Sequence, residues 1–192
     1  MDLLFPSVVS TFKDKNFYKY NRHFIKYCYT LRKITEGVQK SNALGWHSED
    51  DVHLRDDFTF LNKITELIEL TLRDLHLKSC SVSLNSLWIN INPRWSYNHR
   101  HIHPNNHLSG IFYLKVPKNS GDLVFVNDNM QANTLHKFFK DDVNKTIKSY
   151  PTFKYTPEEG RMFLFDSTLP HRVEQNLSHE DRISLSFNID LL

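Results

Sequence analysis

Two cysteines and five glycines are all that this 192-residue chain contains. Cys28 and Cys80 alone exclude a disulfide scaffold and a four-cysteine zinc site, and so few thiols point to a reducing, cytosolic setting. Scarce glycine removes the phosphate-cradling loops: neither GxGxxG nor GxxxxGK[ST] occurs. Charge of one sign is lacking too. Lys plus Arg total 24 against 22 Asp plus Glu, and a net charge of +2 gives no field that would concentrate the protein on nucleic acid. No run approaches the roughly 18 apolar residues that span a bilayer, and the start, with Asp2 and no basic stretch, does not read as a signal peptide. The expected partners therefore exclude nucleic acid and membrane.

What is present in excess is histidine. Four of the 11, His99, His101, His103 and His107, fall in one nine-residue window. No repeat, low-complexity tract or linker divides the chain, so residues 1–192 read as one domain. Its character changes near residue 80. Before that point Phe17, Tyr20, Phe24, Ile25, Tyr27, Cys28 and Leu31 recur at helical spacing, and a loop follows around Asn42 to Asp51. Phe60, Leu61, Ile64, Leu67, Ile68 and Leu75 mark a second helix, capped by Asp56 or Asp57 and closed at Lys78. Residues 1–80 are thus a mainly helical support region.

After Cys80 the period falls to two. Leu87, Ile89 and Ile91 oppose Trp88, Asn90 and Asn92, and Ile183, Leu185 and Phe187 oppose Arg182, Ser184, Ser186 and Asn188. Shorter strand candidates lie at His99–His103, Leu108–Lys115, Leu123–Val126, Phe153–Tyr155 and Met162–Phe165. Many short strands after two helices predict a mainly β jelly-roll or cupin-like barrel over 81–192, backed by helices. A face that mixes Trp88, Asn90 and Asn92, and an Arg182 heading a core strand, are what a barrel with an occupied polar interior requires.

His101 and His103, two apart on a strand, project from one face, so both imidazoles can chelate one transition metal if a third ligand arrives from elsewhere. A pair of surface histidines is the competing interpretation. His171, after an apolar strand and a polar turn, is the candidate third ligand. Arg182 follows, and a guanidinium inside a barrel needs an anion, because an unpaired buried charge costs several kcal/mol. Metal plus arginine suggests an anionic chelating cosubstrate.

This order of HxH, downstream His and Arg-x-Ser resembles the double-stranded β-helix oxygenases that use Fe(II) and 2-oxoglutarate. More narrowly, the chain resembles a bacterial and phage family of 2-oxoglutarate-Fe(II) oxygenases related to prolyl hydroxylases. The matching segments are Gly45-Trp-His-Ser, Trp88-Ile-Asn-Ile-Asn, His101-Ile-His-Pro through Leu114, Ser120-Gly-Asp-Leu-Val-Phe, Pro157-Glu-Glu-Gly-Arg-Met-Phe-Leu-Phe, His171-Arg-Val and Arg182-Ile-Ser-Leu-Ser-Phe-Asn, with Leu4-Phe-Pro also familial.

The resemblance implies Fe(II) as cofactor with 2-oxoglutarate and O2 as cosubstrates. It makes His101 and His171 iron ligands, and sets Arg182, Ser184 and Tyr113 against the distal carboxylate of 2-oxoglutarate. Asn90, Asn92 and Asn188 are then interior contacts to cosubstrate or substrate. Most of the superfamily reads His-x-Asp or His-x-Glu, whereas here His103 holds the carboxylate position. His103 is favoured as third ligand; a water filling the vacancy, or Asp122 reaching in, are the alternatives. Loss of the carboxylate raises the charge at the metal by one.

His99 and His107 read as second-layer or solvent-facing groups, His47 as part of the substrate mouth, and Asp166 as a cap of the turn before His171. The implied reaction hydroxylates a C–H bond of a peptide, a protein side chain or a small metabolite with release of succinate and CO2, and the flanking helices offer a homodimer surface. Two rivals stand beside it: a three-histidine cupin-type metal enzyme that does not use 2-oxoglutarate, and a catalytically silent β-barrel binding module.

Overall fold

A computed structural model describes residues 7–55, 58–78, 80–128, 134, 137–147 and 150–192. The strands are β1 (Val9–Lys13), β2 (Asn42–Ala43), β3 (Trp46–His47), β4 (Val82–Asn92), β5 (Tyr97–His101), β6 (Leu108–Lys115), β7 (Leu123–Val126), β8 (Thr152–Tyr155), β9 (Arg161–Asp166), β10 (His171–Val173) and β11 (Arg182–Leu191). The helices are α1 (Asn21–Ile34), α2 (Phe58–Leu72) and α3 (Asp141–Ile147). A six-stranded sheet runs β1-β9-β6-β11-β4-β3 and a five-stranded sheet β2-β5-β10-β7-β8, with antiparallel pairing throughout. This is a double-stranded β-helix, mainly β, with helical support on one face.

The period-two pattern decides which residues go where. On β4 and β11 the odd-numbered residues Leu87, Ile89, Ile91, Ile183, Leu185, Phe187 and Ile189 are fully buried against the helices, in one core with Phe24, Cys28 and Leu31 of α1 and Phe60, Ile64, Leu67 and Ile68 of α2. Each such side chain contributes about 1.5–3 kcal/mol of burial. The even-numbered residues face the space between the sheets. There a second, smaller core joins Ile111, Tyr113, Phe163 and Phe165 of the large sheet to Leu123, Phe125 and Val173 of the small one. Gly110 belongs to the helix side: the Phe187 ring occupies the place its Cβ would take, only 2.1 Å away.

Several boundaries differ from the sequence expectation. The second helix ends at Leu72, and Arg73–Leu75 tighten into a 3-10 turn that stops at His76 in the left-handed region (φ 48°). The Asp56 and Asp57 cap and the Leu4-Phe-Pro segment lie outside the described residues. β1 was not expected; it lines the sheet edge beside β9, tied to α2 by the Ser10 hydroxyl donating to the Thr71 carbonyl at 2.9 Å. The stretch around Asn42–Asp51, expected as loop, contributes Asn42–Ala43 to the small sheet and Trp46–His47 to the large one. Two-residue strands contain no repeat from which a period can be recognised. Among the described residues no helix is long and apolar enough to cross a membrane.

Candidate metal and cosubstrate site

Cross-strand register turns the inward residues of the large sheet into rows. Asn92 faces Arg182; His47, Asn90, Ser184 and Tyr113 follow in line across β3, β4, β11 and β6; then Trp88, Ser186, Ile111 and Phe163; then Ser86, Asn188, Ser109 and Phe165. The floor is therefore polar and uncharged on the β3–β4–β11 side, apart from Arg182, and apolar toward β6 and β9. Over it, the small sheet brings His101 and His171, with His103 just beyond the end of β5. One cavity is lined by Trp88, Asn90, Arg182, Ser184, Ser186 and all three histidines, among others.

The histidine group is assembled by strand pairing. His171 is the direct partner of His101 across β10 and β5, and the backbone N–H of His103 donates to the Ser167 carbonyl at 2.8 Å. One ring nitrogen from each histidine lies within 4.8 Å of the others, so a small inward turn of the rings would let one ion reach all three with bonds of about 2.0–2.1 Å. His101 Nδ1–H donates to the His99 carbonyl at 2.6 Å and His171 Nδ1–H to the Leu169 carbonyl at 2.8 Å, which leaves both Nε2 lone pairs available. Burial lowers the pKa of all three, with mutual repulsion adding to it for His103 and His171: His103 falls to about 4 and His171 to about 3. At neutral pH the group is uncharged and able to ligate.

Asp122 stands outside this group. It precedes β7, its carbonyl accepts the Glu174 N–H at 2.9 Å, and its charge is felt at Tyr113. The exposed His99 takes part through its carbonyl and not its ring. His107 is exposed and bonded to the β11 end, with its Nδ1 accepting the Leu191 N–H at 3.1 Å. Asp166 caps its turn, accepting from the Thr168 N–H and hydroxyl at 2.7 Å each.

Arg182 is 1% exposed. Its Nη1 donates to the Ser120 and Glu174 main-chain carbonyls, while its Nε has no partner among the described residues. The Tyr113 hydroxyl and Ser120 Oγ are also buried without partners, as are Asn90 Oδ1 and both polar atoms of the Asn92 amide. Burial pushes the Tyr113 phenol up to about 12, so it is an O–H donor at neutral pH. Unsatisfied donors around a buried cation are costly in an empty protein and fit a carboxylate ligand. Asn188 differs: its Oδ1 accepts from Ser109 and its Nδ2 donates to Ser86, so both of its polar atoms are partnered within the protein. Ser120 was not singled out from the sequence as a binding residue. In the sequence it stands only as the first residue of the familial Ser120-Gly-Asp-Leu-Val-Phe segment, before Gly121 at φ 86°.

No curated protein matches the sequence. Among solved structures, the chain is similar to a prolyl-4-hydroxylase from Pseudomonas putida (15% identity, TM-score 0.61, covering 93% of this chain and 92% of that one). It is also similar to the α-ketoglutarate-dependent carbocyclase SnoK from nogalamycin biosynthesis (12%, TM-score 0.68, 95% and 79%). A 2OG-Fe(II) oxygenase-family oxidoreductase from Burkholderia pseudomallei is matched over 69% of this chain at 15% identity and TM-score 0.52, and there the chain spans only 56% of the other protein. These likenesses establish the fold. A family model described as "Putative 2OG-Fe(II) oxygenase" matches residues 86–188, more than half of the chain, from the β4 row through the histidine group to Asn188. The chain belongs to that 2OG-Fe(II) oxygenase family, whose cofactor and cosubstrate are iron and 2-oxoglutarate.

Proposed function

We propose that the protein is a 2-oxoglutarate-dependent hydroxylase acting on a C–H bond of a peptide or protein side chain or of a small metabolite, with release of succinate and CO2. The observation that carries this reading is one cavity holding three neutral imidazoles and, on its floor, a buried guanidinium whose Nε lacks a partner. His101, His103 and His171 would hold Fe(II), the imidazole of His103 taking the position of the usual carboxylate in preference to Asp122. Bound iron supplies oxygen activation, coupling oxidative decarboxylation of 2-oxoglutarate to insertion of the second oxygen atom into the substrate.

The residues of the chain position and shield. Arg182 Nε and the Tyr113 hydroxyl would donate to the distal carboxylate of 2-oxoglutarate, with Ser184 on the Tyr113 row. Asn90 Oδ1, unpartnered on the cavity wall, would accept from whatever lies above the β4 row. Ile111, Leu123, Phe125, Phe163 and Phe165 keep water from the opposite wall. No general base is required. Two free cysteines, Cys28 and Cys80, agree with a cytoplasmic setting.

The test is anaerobic addition of Fe(II) and then 2-oxoglutarate, followed by a succinate-release screen of peptides and metabolites with mass spectrometry for one added oxygen. A metal-to-ligand absorption band and a product gaining oxygen are expected. Iron binding without the band would favour the cupin-type reading. Equal metal content in wild type, His101→Ala and His171→Ala would remove the site assignment.

A further inference from the structure

We propose that Trp88 is a positioning residue that sets the ring plane of His103 as a metal ligand; the proposal rests on the three-histidine reading above. The three imidazoles are not held alike. His101 and His171 are each fixed at Nδ1 by a main-chain carbonyl, whereas the His103 ring makes no hydrogen bond among the described residues. Its backbone is anchored at Ser167, so what restrains the ring is contact with its faces. Trp88 stacks on it at 5.4 Å between centroids and 20° between planes, and His171 at 5.1 Å and 7°. His47 stacks in turn on Trp88 at 5.6 Å and 10°. His47, Trp88, His103 and His171 form a run of near-parallel rings, while His101 is tilted by 54° to His103 and 56° to His171.

Trp88 is well placed to act as the fixed member of that run. It is 7% exposed, lies in the middle of β4 opposite Ser186, and has Leu87 and Ile89 buried in the helix-side core on either side of it. The indole is in near-parallel contact with both His47 and His103. A tryptophan on an otherwise polar floor is therefore explained by the imidazoles it touches. Loss of an outer partner that orients a ligating histidine typically weakens metal binding about 10–100-fold, and a face-to-face restraint here takes the place of the hydrogen bond that the other two ligands possess.

The probe is Co(II), read by its visible absorption and by titration on the folded, metal-free protein. Trp88→Leu should weaken Co(II) at least about tenfold and move the spectrum toward that of His103→Ala, while Trp88→Phe, which keeps an aromatic face, should restore most of both. In the His103→Ala background, Trp88→Leu should cost nothing further. Should Trp88→Leu not fold, His47→Leu, which removes the ring stacked on Trp88, should shift affinity and spectrum the same way by less. A purely structural role would lower thermal stability with the Co(II) spectrum and affinity unchanged, and that result overturns the proposal. If His103→Ala itself binds Co(II) like wild type, the third-ligand reading fails and Trp88 has no ligand to position; if His103→Ala is impaired and neither the Trp88 nor the His47 variant is, the Trp88 proposal alone fails.

Discussion

His101 and His171 are direct partners across the β5–β10 pairing, and each turns its Nδ1–H to the main-chain carbonyl two residues earlier in its own segment, at 2.6 and 2.8 Å. The same local device, repeated on two antiparallel strands, leaves both Nε2 atoms free to ligate before any ion arrives. Substituting His171 by Asn should therefore reduce bound Fe(II) or Co(II) well below one equivalent, whereas Asp122→Asn should leave stoichiometry unchanged. Metal analysis of protein prepared without chelators checks both, and loss of metal from the Asp122 variant would restore the carboxylate alternative.

The depressed histidines make the metal-free protein acid-sensitive in a defined window. In the unfolded chain a histidine takes up its proton near pH 6.5, but folded His103 and His171 do so only at about 4 and about 3. Between those limits the unfolded state binds more protons, so stability falls as pH drops from about 6.5 toward 3, and below that these groups add no further loss. Urea unfolding across this range should show a shallower decline in His171→Asn than in wild type. Identical slopes would mean that burial does not hold His171 neutral.

Arg182→Met separates stability from ligand binding. Replacing an incompletely paired buried charge by an apolar side chain of similar length is often neutral or stabilising, so the metal-free variant should melt at or above the wild-type temperature. Stabilisation by 2-oxoglutarate, about 2.7 kcal/mol at a hundredfold excess over the dissociation constant, should disappear with metal binding retained. Persistence of that stabilisation in the variant would assign the arginine another role.

At Gly110 the constraint is steric. A Cβ there would meet the Phe187 ring 2.1 Å away, so Gly110→Ala should destabilise by about 1–3 kcal/mol, the usual cost of overpacking. Phe187→Leu, destabilising alone, should lose less in the Gly110→Ala background. Additive losses in chemical denaturation would show that the ring has room to move.

Trp95 sits at φ 74°, 46% exposed, with the Arg94 guanidinium 4.4 Å above its ring. Left-handed backbone costs a residue with a Cβ about 1–2 kcal/mol, and the exposed cation–π contact returns about 0.5–1. Trp95→Gly should thus raise stability by up to about 1 kcal/mol, seen as a higher calorimetric midpoint. A lower midpoint would mean that the indole contributes more than its single cation contact.

Much of this was legible because period-two alternation is a direct imprint of a sheet with two different sides. Leu87, Ile89 and Ile91 against Trp88, Asn90 and Asn92 located both the core and the cavity floor, and HxH spacing put two imidazoles together. What stayed hidden depended on long-range partners. Nothing in Val9–Lys13 indicates that it will pair with β9, and Trp46–His47 becomes a strand only because β4 is there to receive it. Ser120 and Asn188 show the same limit within the site. Both are ordinary polar residues in the sequence, and only their hydrogen bonds distinguish a hydroxyl without a partner among the described residues from an amide partnered by Ser86 and Ser109.

The partners of Arg182 are the main-chain oxygens of Ser120 and Glu174, and a carbonyl is present whatever side chain its residue has. No point substitution at either position can delete the acceptor; it can only displace the segment that carries it. The guanidinium's orientation is thus insulated from mutation at the two residues that hold it, leaving neighbouring side chains free to drift and retune the cavity while the anion anchor stays in place.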